Sequence, residues 1–439
     1  MYNHKTQQIM ALNLDHVLIL GSGQTGLSVE NWCKRKNITS SMWHGDADTS
    51  TYINMNNITC VVISPGIMPS HPMPQKAKKL NIPVITDIDL FFSQDEALVK
   101  HTFGITGTNG KSTTTALLHH IFQNTDDKKN NTFLGGNIGT PILDLPVDKS
   151  AHYAIELSSY QLELSHKLNL FAAVLLNLTP DHLDRHGSME QYAIEKMKIF
   201  DGCKNSLVCI DDAYSQDIYN ALKKNQNTLS ISCTQKADYY VDSNGDLFIK
   251  DRLITSLSNM PLKGKHNWQN MVAAFALAHI ASLPETDIIQ AMQSFQGLKH
   301  RLQNVKKINN VTFINDSKAT NSESTEMAIR AYQDKKIYII LGGRAKANGL
   351  NALQPLFPFI QKAYLIGEAA NDFSVILEKH HVAYTLSHTL LPAVTQAYKD
   401  AQIDAKESIV LLSPSCASFD QFKNFEERGD IFCDIVNKI

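Results

Sequence analysis

The segment GITGTNGKSTTT, residues 104–115, constrains the fold more than any other stretch of the chain. It follows an apolar run and leads into a segment of helical period, so it predicts a strand, a glycine-rich loop and a helix in succession. Ile105 stands where the strict phosphate-loop pattern has its first glycine, and Gly107 supplies a glycine inside the loop instead. Units of this kind are typical of α/β folds with mainly parallel sheets.

The chemistry of this loop indicates a nucleoside triphosphate site. Backbone N–H groups between Gly107 and Gly110 can turn toward one anion, and the following helix adds the positive end of its dipole. Lys111 would reach the β- and γ-phosphates, and the Ser112 hydroxyl would bind Mg²⁺. The alternative is a glycine-rich turn that only caps a helix.

Short apolar runs alternate with segments of helical period along the rest of the chain, which again predicts an α/β fold. We expect strands at 16–20, 60–64, 82–86, 102–107, 153–159, 172–178, 311–317, 336–343, 362–367 and 407–414, and a helix at 267–282. The pattern predicts three domains. They are a Rossmann-like domain at 1–92, a central P-loop ATPase-like domain with a mainly parallel sheet at 93–297, and a second Rossmann-like domain at 298–439.

The composition excludes several classes of protein. A net charge of −2 argues against a nucleic-acid partner. The seven cysteines form no C-x-x-C pair, which indicates reduced thiols. Apolar runs stay well below the ~18–20 residues of a membrane span, and no secretory signal pattern opens the sequence. We therefore expect a cytoplasmic protein that binds no membrane.

A second glycine-rich loop, GSGQTG at 21–26, follows the first predicted strand. By itself it indicates a dinucleotide fold, with Asp46 as the acid for the ribose, and hence an NAD-dependent oxidoreductase. Such loops also hold the diphosphate of other nucleotides. Since residues 104–115 already provide an ATP site, a nucleotide-linked substrate fits this loop better than a redox cofactor.

Candidate metal ligands follow the strands of the central region. Glu156 lies where a Walker-B-type carboxylate would be, and Ser158 comes two residues later. His182 follows the next strand, and His186 stands four residues further on, a spacing that a helical zinc site could use. No carboxylate pattern completes a zinc motif, so from the residues alone His182 is equally a loop histidine or a ligand.

The last third of the chain carries polar segments directly after predicted strands, where open α/β sheets bind ligands. They are INDSKATN at 314–321, LGGRAKANG at 341–349 and SPSCASFDQFKNFEERGD at 413–430. Lys318, Thr320, Arg344, Lys346 and Ser418 would converge as donors and suit a substrate with carboxylates. The alternative is exposed lysines on ordinary loops. In GLKHRLQNV, at 297–305, His300 and Arg301 could reach a phosphate.

From residue 16 to the C-terminus the chain resembles the Mur ligases of peptidoglycan synthesis. The resemblance rests on TGTNGKS, ELSSYQLE, NLTPDHLDRH, KGKHNWQN, GLKHRLQNV, NDSKATN and SPSCASFDQFKNFEERGD. TGTNGKS alone would indicate only the superfamily, which includes folylpolyglutamate synthases. The D-N-P-R motif of the diaminopimelate-adding relative is absent from the sequence. The specific segments imply the family member that adds D-glutamate to UDP-N-acetylmuramoyl-L-alanine through an acyl phosphate.

The resemblance also implies the cofactors and the residues that bind them. ATP would be bound by the loop and by residues from the later segments, namely Gly107, Thr108, Asn109, Gly110, Lys111, Ser112, Thr113, Asn267, Asn270, Arg301 and Asp316. Mg²⁺, as two ions, would be bound by Ser112, Glu156, Ser158, His182 and a carbamylated Lys196. Lys198 lies two residues further on, and only the motif register favours Lys196. The catalytic residues would be Lys111, Lys196, His182 and Lys318.

Two further sets of residues follow from the resemblance. The UDP-linked substrate would be bound by Ser22, Gln24, Thr25, Gly26, Ser64, Gly66, Asn137 and Gln161. D-Glutamate would be bound by Lys318, Thr320, Lys346, Ser418, Phe419 and Phe425. His44 stands where the family often has an aspartate near uracil, so the uracil contact is open, with Asp46 as a substitute. We expect a monomer.

Overall fold

The computed structural model describes residues 13–44, 55–95, 98, 101–125, 131–166, 168–224, 227–262, 264–345, 350–404 and 407–439. Asp46 and Lys346, two of the predicted site residues, lie outside these ranges. The chain divides into two compact units, one of residues 1–260 with 266–295 and one of residues 261–265 with 296–439. The first unit contains two separate sheets and the second contains one.

The N-terminal sheet has four parallel strands in the order β2-β1-β3-β4. Its elements are β1 (His16–Leu20), α1 (Gln24–Arg35), β2 (Thr39–Trp43), β3 (Cys60–Ile63), α2 (Pro72–Lys79), β4 (Val84–Ile85) and α3 (Asp87–Ser93). Parallel neighbours need crossover connections, and the helices that make them cover the sheet. The sheet therefore carries the GSGQTG loop between β1 and α1, at the carboxyl end of β1.

The central sheet has nine strands in the order β13-β12-β11-β10-β9-β8-β5-β7-β6. Its strands are β5 (Thr102–Thr106), β6 (Thr132–Gly136), β7 (His152–Glu156), β8 (Ala172–Leu175), β9 (Asn205–Cys209), β10 (Thr228–Ser232), β11 (Tyr239–Val241), β12 (Asp246–Ile249) and β13 (Arg252–Ser256). Strands β5 to β11 pair in parallel, and β12 and β13 add an antiparallel extension at one edge.

The helices of this unit are α4 (Lys111–Asn124), α5 (Ser159–Leu164), α6 (Leu183–His186), α7 (Met189–Met197), α8 (Ala213–Leu222), α9 (His266–Ile280) and α10 (Glu285–Ser294). Residues Met271 to Ala278 of α9 are all buried. Because this part of the helix is buried on every side, its sequence is apolar throughout and does not alternate between an apolar and a polar face. Within the described ranges, no helix has the length and apolar character needed to cross a bilayer.

The second unit has a six-stranded sheet in the order β14-β15-β19-β16-β17-β18. Its elements are β14 (Gln303–Ile308), β15 (Val311–Asn315), α11 (Ser322–Ala331), β16 (Lys336–Gly342), β17 (Ile360–Ile366), α12 (Ala370–Lys379), β18 (Tyr384–His388), α13 (Leu390–Ile403), β19 (Ser408–Leu412) and α14 (Phe425–Lys438). Only β14 is antiparallel. The carboxyl ends of β15, β19 and β16 therefore meet at one edge of the sheet.

The predicted α/β class with mainly parallel sheets is confirmed, and each predicted apolar run contains a strand. The expected helix at 267–282 corresponds to α9. Several polar or edge strands were not predicted, among them β2 with the sequence TSSMW and the pair β12 and β13. The three-domain boundaries at 92/93 and 297/298 stay predictions.

Candidate active site

The glycine-rich loop joins β5 to α4 in a conformation that only glycine adopts easily. Gly107 has φ 153° and Gly110 has φ 83°. A Cβ on Gly110 would lie 2.1 Å from the side-chain oxygen of Asn270. Helix α4 begins at Lys111 and has no side-chain cap, so its first N–H groups can receive an anion.

Side chains from two other segments hold the glycine-rich loop: Asn177, which follows β8, and Tyr192 of α7. Asn177 accepts a hydrogen bond from the Asn109 N–H at 2.8 Å, and donates to the Asn109 carbonyl at 3.2 Å. The hydroxyl of Thr108 lies 3.2 Å from the hydroxyl of buried Tyr192. Sequence reasoning missed Asn177 and Tyr192, although Asn177 lies in the NLTPDH segment and follows a predicted strand. Both residues stabilise the loop before any ligand arrives.

Two lysines lie against the loop. Lys111 donates to the carbonyls of Gly107 and Thr108, at 2.9 and 2.7 Å. Lys196 is 1% exposed and donates to the Gly107 carbonyl at 2.8 Å and to the Thr106 hydroxyl at 3.3 Å. Burial is the main cause that lowers the pKa of Lys196 well below its usual value, and the charge of Lys111 adds to it. A buried amine with a lowered pKa therefore lies beside the glycine-rich loop between β5 and α4.

Lys198 lies in a different environment, although it is only two residues away. Its ammonium group donates to the Glu163 carbonyl at 2.9 Å and pairs with Glu195 at 2.5 Å. Lys198 thus has an anionic partner, whereas Lys196 is held by a carbonyl and a hydroxyl. The two lysines are therefore chemically distinct.

Glu156 ends β7 with a buried carboxylate. Its Oε1 accepts a hydrogen bond from the Asn137 side chain at 2.8 Å, whereas Oε2 is buried with no hydrogen-bond partner among the described residues. A buried carboxylate oxygen without a protein donor suits a hard cation such as Mg²⁺. Asn137, which was predicted to bind the UDP-linked substrate, thus orients a predicted metal ligand.

Two other predicted site residues form a helix cap. Ser158 is the N-cap of α5, and its hydroxyl and backbone N–H both lie within 3.0 Å of the Gln161 side-chain oxygen. Gln161 is buried in this capping box. Their roles toward Mg²⁺ and the UDP-linked substrate stay predictions, as does that of Ser112, which is buried in the first turn of α4.

His182 has φ 52° and precedes the short helix α6. Its Nδ1 lies 3.0 Å from the Tyr160 hydroxyl, and its Nε2 lies 3.4 Å from an Asp181 oxygen. His186 is buried instead, with Nε2 3.0 Å from the Ser159 hydroxyl. The described residues contain no group of three His, Cys, Asp or Glu side chains that could hold a metal.

The asparagines predicted to contact ATP lie at the start of α9. Asn267 and Asn270 are buried, and Asn270 donates to the Asn267 side chain at 2.9 Å. Asn270 also accepts a hydrogen bond from Thr114 of α4 at 3.3 Å. The structure therefore brings Asn270 to the phosphate-binding loop. Thr113 lies in the first turn of the same helix α4.

The GSGQTG loop packs tightly against the loop that follows β3. A Cβ on Gly26 would lie 1.8 Å from the Gly21 carbonyl oxygen, and one on Gly21 would lie 2.8 Å from the Ser64 hydroxyl. That hydroxyl is buried without a hydrogen-bond partner among the described residues. Ser22 and Gln24 are exposed, Thr25 is half-buried, and Gly66 has open space at its Cβ position. His44, at the end of β2, is exposed.

Arg185 of α6 holds the loop that follows β3. A role for this residue was not predicted from the sequence. Its guanidinium group donates to the carbonyls of Pro65 and Ile67, at 2.9 and 3.2 Å. It also pairs with Glu163 at 2.7 Å and stacks on the Tyr160 ring, 4.2 Å from the ring centroid. Arg185 thereby holds the segment that contains Ser64 and Gly66.

In the second unit, Asp316 follows β15 and is buried. Its carboxylate accepts hydrogen bonds from the Ser413 hydroxyl at 2.8 Å and from the Leu302 N–H at 3.2 Å. Burial raises the pKa of Asp316 to about 7, and the charge of Arg301 opposes that shift. Asp316 and Arg301, both predicted to contact ATP, are therefore electrostatically coupled.

The residues predicted to bind the amino acid follow the adjacent strands β15 and β19. The Lys318 ammonium group lies 3.9 Å from the centroid of the Phe425 ring. Ser418 is buried, Thr320 is half-buried and Phe419 is exposed. Arg344, expected to join these donors, pairs instead with Glu368 at 3.1 Å.

Comparison with known proteins supports the same interpretation. The family model described as "Mur ligase middle domain" matches residues 105–278, and the model described as "Mur ligase, glutamate ligase domain" matches residues 300–416. A protein of Agrobacterium fabrum is 42% identical over 88% of this chain and 84% of its own length. A protein of Brucella abortus is 44% identical over 85% and 82%. Both are named UDP-N-acetylmuramoylalanine–D-glutamate ligase.

Solved structures share the fold. UDP-N-acetylmuramate–alanine ligase of Thermotoga maritima superposes with a TM-score of 0.59 and 15% identity, over 96% of this chain and 99% of that chain. The MurF ligase of the same organism, in complex with ADP, superposes with a TM-score of 0.57 and 16% identity, over 96% and 95%.

Proposed function

The chain belongs to the Mur ligase family, and from this membership we propose that it is the ATP-dependent ligase that joins D-glutamate to UDP-N-acetylmuramoyl-L-alanine. The observation that carries the proposal is the shared name of relatives at 42% and 44% identity over most of the chain. The product is a precursor of peptidoglycan. A cytoplasmic location and a monomeric state stay predictions.

The reaction requires activation of a poor electrophile. A free carboxylate resists attack because its charge is delocalised and oxide is not a viable leaving group. Transfer of the γ-phosphoryl group of ATP to the L-alanyl carboxylate gives an acyl phosphate and ADP. The neutral amine of D-glutamate then attacks the acyl carbon, phosphate leaves with the electrons of the acyl–oxygen bond, and the nitrogen releases one proton as the amide forms.

The residues of the phosphate-binding loop have a defined task in this scheme. The N–H groups at the start of α4 and the Lys111 ammonium group would stabilise charge on the transferring phosphoryl group. Asn270 and Asn267 would contact the nucleotide beside them. The hydrogen bonds of Asn109 and Thr108 to Asn177 and Tyr192 support a defined loop conformation.

We propose that Glu156, His182, Ser112, Ser158 and a carbamate on Lys196 would hold Mg²⁺. Bound there, Mg²⁺ would neutralise negative charge on the phosphates. The unpaired Oε2 of Glu156 supports this assignment. The lowered pKa of Lys196 supports the carbamate, because carbamate forms from a neutral amine and CO₂. The modification would convert a cation, repelled by Mg²⁺, into an oxygen ligand.

The remaining residues would position the two substrates. The GSGQTG loop, at the N-terminus of α1, would receive the diphosphate of the UDP-linked substrate, with Ser64 and Gly66 beside it. Lys318, with Thr320 and Ser418, would receive the carboxylates of D-glutamate. The cation–π contact between Lys318 and Phe425 supports a defined position for the ammonium group.

Phosphate release with each substrate omitted in turn tests this function. We expect release only when ATP, UDP-N-acetylmuramoyl-L-alanine and D-glutamate are all present, and a preference for D- over L-glutamate. A P-loop protein with a regulatory role would hydrolyse ATP slowly without an amino acid, and an NAD-dependent oxidoreductase would release none. Equal rates with the two glutamate enantiomers would contradict the proposed substrate but not the family.

A further inference from the structure

Arg428 is the largest fully buried side chain among the described residues, and its burial is unusual for a cation. It lies in the first turns of α14. No carboxylate in the described part of the chain forms an ion pair with it. Burial lowers the pKa of Arg428 to about 10, so the guanidinium group stays charged at neutral pH. A buried charge of this kind is expensive unless its donors are satisfied.

The donors of Arg428 are satisfied by two different loops. Nε donates to the Ser317 hydroxyl at 2.9 Å, and Nη2 donates to the Ser317 carbonyl at 2.8 Å. Nη1 and Nη2 both donate to the Cys416 carbonyl at 3.2 Å. Ser317 directly precedes Lys318, and Cys416 stands two residues before Ser418. One planar group therefore joins the loop after β15 to the loop after β19.

The position of α14 is itself fixed by close packing. A Cβ on Gly429 would lie 2.2 Å from the His300 ring nitrogen Nδ1, so this helix approaches His300 at a distance that only glycine permits. The His300 carbonyl in turn accepts a hydrogen bond from the Lys318 N–H at 3.0 Å. The loop that carries Lys318 is thus held from two sides.

We propose that Arg428 is a positioning residue for the amino-acid substrate, setting the spacing between Lys318 and Ser418 through Ser317 and Cys416. This inference rests on the proposed function, since it requires D-glutamate to bind at those two residues. A lysine cannot replace the guanidinium group, because one ammonium group does not present a planar fork to two loops.

Steady-state kinetics of Arg428→Lys and Arg428→Met test the proposal. We expect the KM for D-glutamate to rise about tenfold or more in both variants. The free energy lost with hydrogen bonds to a charged group corresponds to a change in affinity of about that factor. The KM values for ATP and the UDP-linked substrate should stay within about twofold of wild type. A general loss of structure would instead raise all three KM values, so the comparison separates positioning from misfolding. Arg330→Met is the matched control, since Arg330 is exposed in the same unit and pairs with Glu326 of its own helix.

Ser317→Ala keeps the test decisive if the Arg428 variants do not fold. It removes the hydroxyl that accepts from Nε and donates to the Phe425 carbonyl. We expect an intermediate rise in the KM for D-glutamate, with a thermal midpoint lowered less than in the Arg428 variants. A wild-type KM in folded Arg428→Lys or in Ser317→Ala would overturn the inference alone. A wild-type enzyme that does not depend on D-glutamate would overturn the inference together with the proposed function.

Discussion

The side-chain nitrogen of Lys196 lies 2.8 Å from the carbonyl oxygen of Gly107, inside the phosphate-binding loop. The sequence offered two lysines, 196 and 198, with only motif register to choose between them. Their surroundings differ, because Lys196 is buried beside the loop whereas Lys198 is paired with Glu195. The contact with Gly107 places Lys196, rather than Lys198, beside the loop that is proposed to bind the nucleotide.

Lys196→Ala should lower kcat by about 100-fold or more, because it removes the proposed anionic oxygen near Mg²⁺. Added formate or acetate should partly restore activity by supplying a small carboxylate to the space. Phosphate release measured with and without the added anion checks both expectations. Lys198→Ala is the matched control and should keep most activity. A fully active Lys196→Ala would remove the carbamate from the mechanism.

Lys111→Ala should lower kcat by about 10²–10³-fold, which leaves almost no turnover, since it removes a donor to the transferring phosphoryl group. The affinity for the UDP-linked substrate should stay nearly unchanged, because that substrate is proposed to bind at the GSGQTG loop. Calorimetry with the UDP-linked substrate alone and turnover measurements separate the two effects. An equal loss of affinity for ATP and the UDP-linked substrate would contradict the assignment of two loops to two ligands.

Arg185→Lys should raise the KM for the UDP-linked substrate about tenfold, because three separate guanidinium nitrogens reach Glu163, Pro65 and Ile67, and lysine has a single nitrogen. The KM for D-glutamate should change little, since the residues proposed to bind it belong to the other compact unit. Arg35→Lys is a suitable control, because Arg35 also bonds a carbonyl, that of Leu143, but lies more than half exposed. Equal KM values in Arg185→Lys and wild type would show that the segment needs no such support.

Asp87→Asn should stabilise the protein at pH 8 more than at pH 5. Burial raises the pKa of Asp87 from its usual 3.8 to about 7, so its ionisation opposes folding. The stability that the protonated form provides is present below pH 3.8 and is lost as pH rises through 7. The thermal midpoint of the variant minus that of wild type is the quantity to compare. This difference should be larger at pH 8 than at pH 5 by roughly 2 °C or more.

The matched control for that experiment is Asp148→Asn. Asp148 is half-buried, and hydrogen bonds from Ser150 and Asn131 lower its pKa to about 2. It stays ionised throughout this range, so its effect on the midpoint should not depend on pH between 5 and 8. A constant difference for Asp87→Asn would show that Asp87 ionises as easily in the folded chain as in the unfolded one.

By itself, the sequence determined the α/β class, the strands that flank each loop and both glycine-rich loops. These features depend on local properties: apolar runs form buried strands, and positions such as Gly110 need a φ that other residues avoid. It also identified Glu156, Lys196 and Lys318 as candidates, because each lies in or beside a motif.

Tertiary structure alone decided the contacts between residues far apart in the chain. Arg185 meets Pro65 across 120 positions, Asn109 meets Asn177 across 68, and Arg428 meets Ser317 across 111. No local pattern encodes such pairs, because a side chain's partner depends on strand order and on the packing of helices over the sheet. The same dependence separates Lys196 from Lys198: burial, which no spacing specifies, lowers the pKa of Lys196, whereas Lys198 is paired with Glu195.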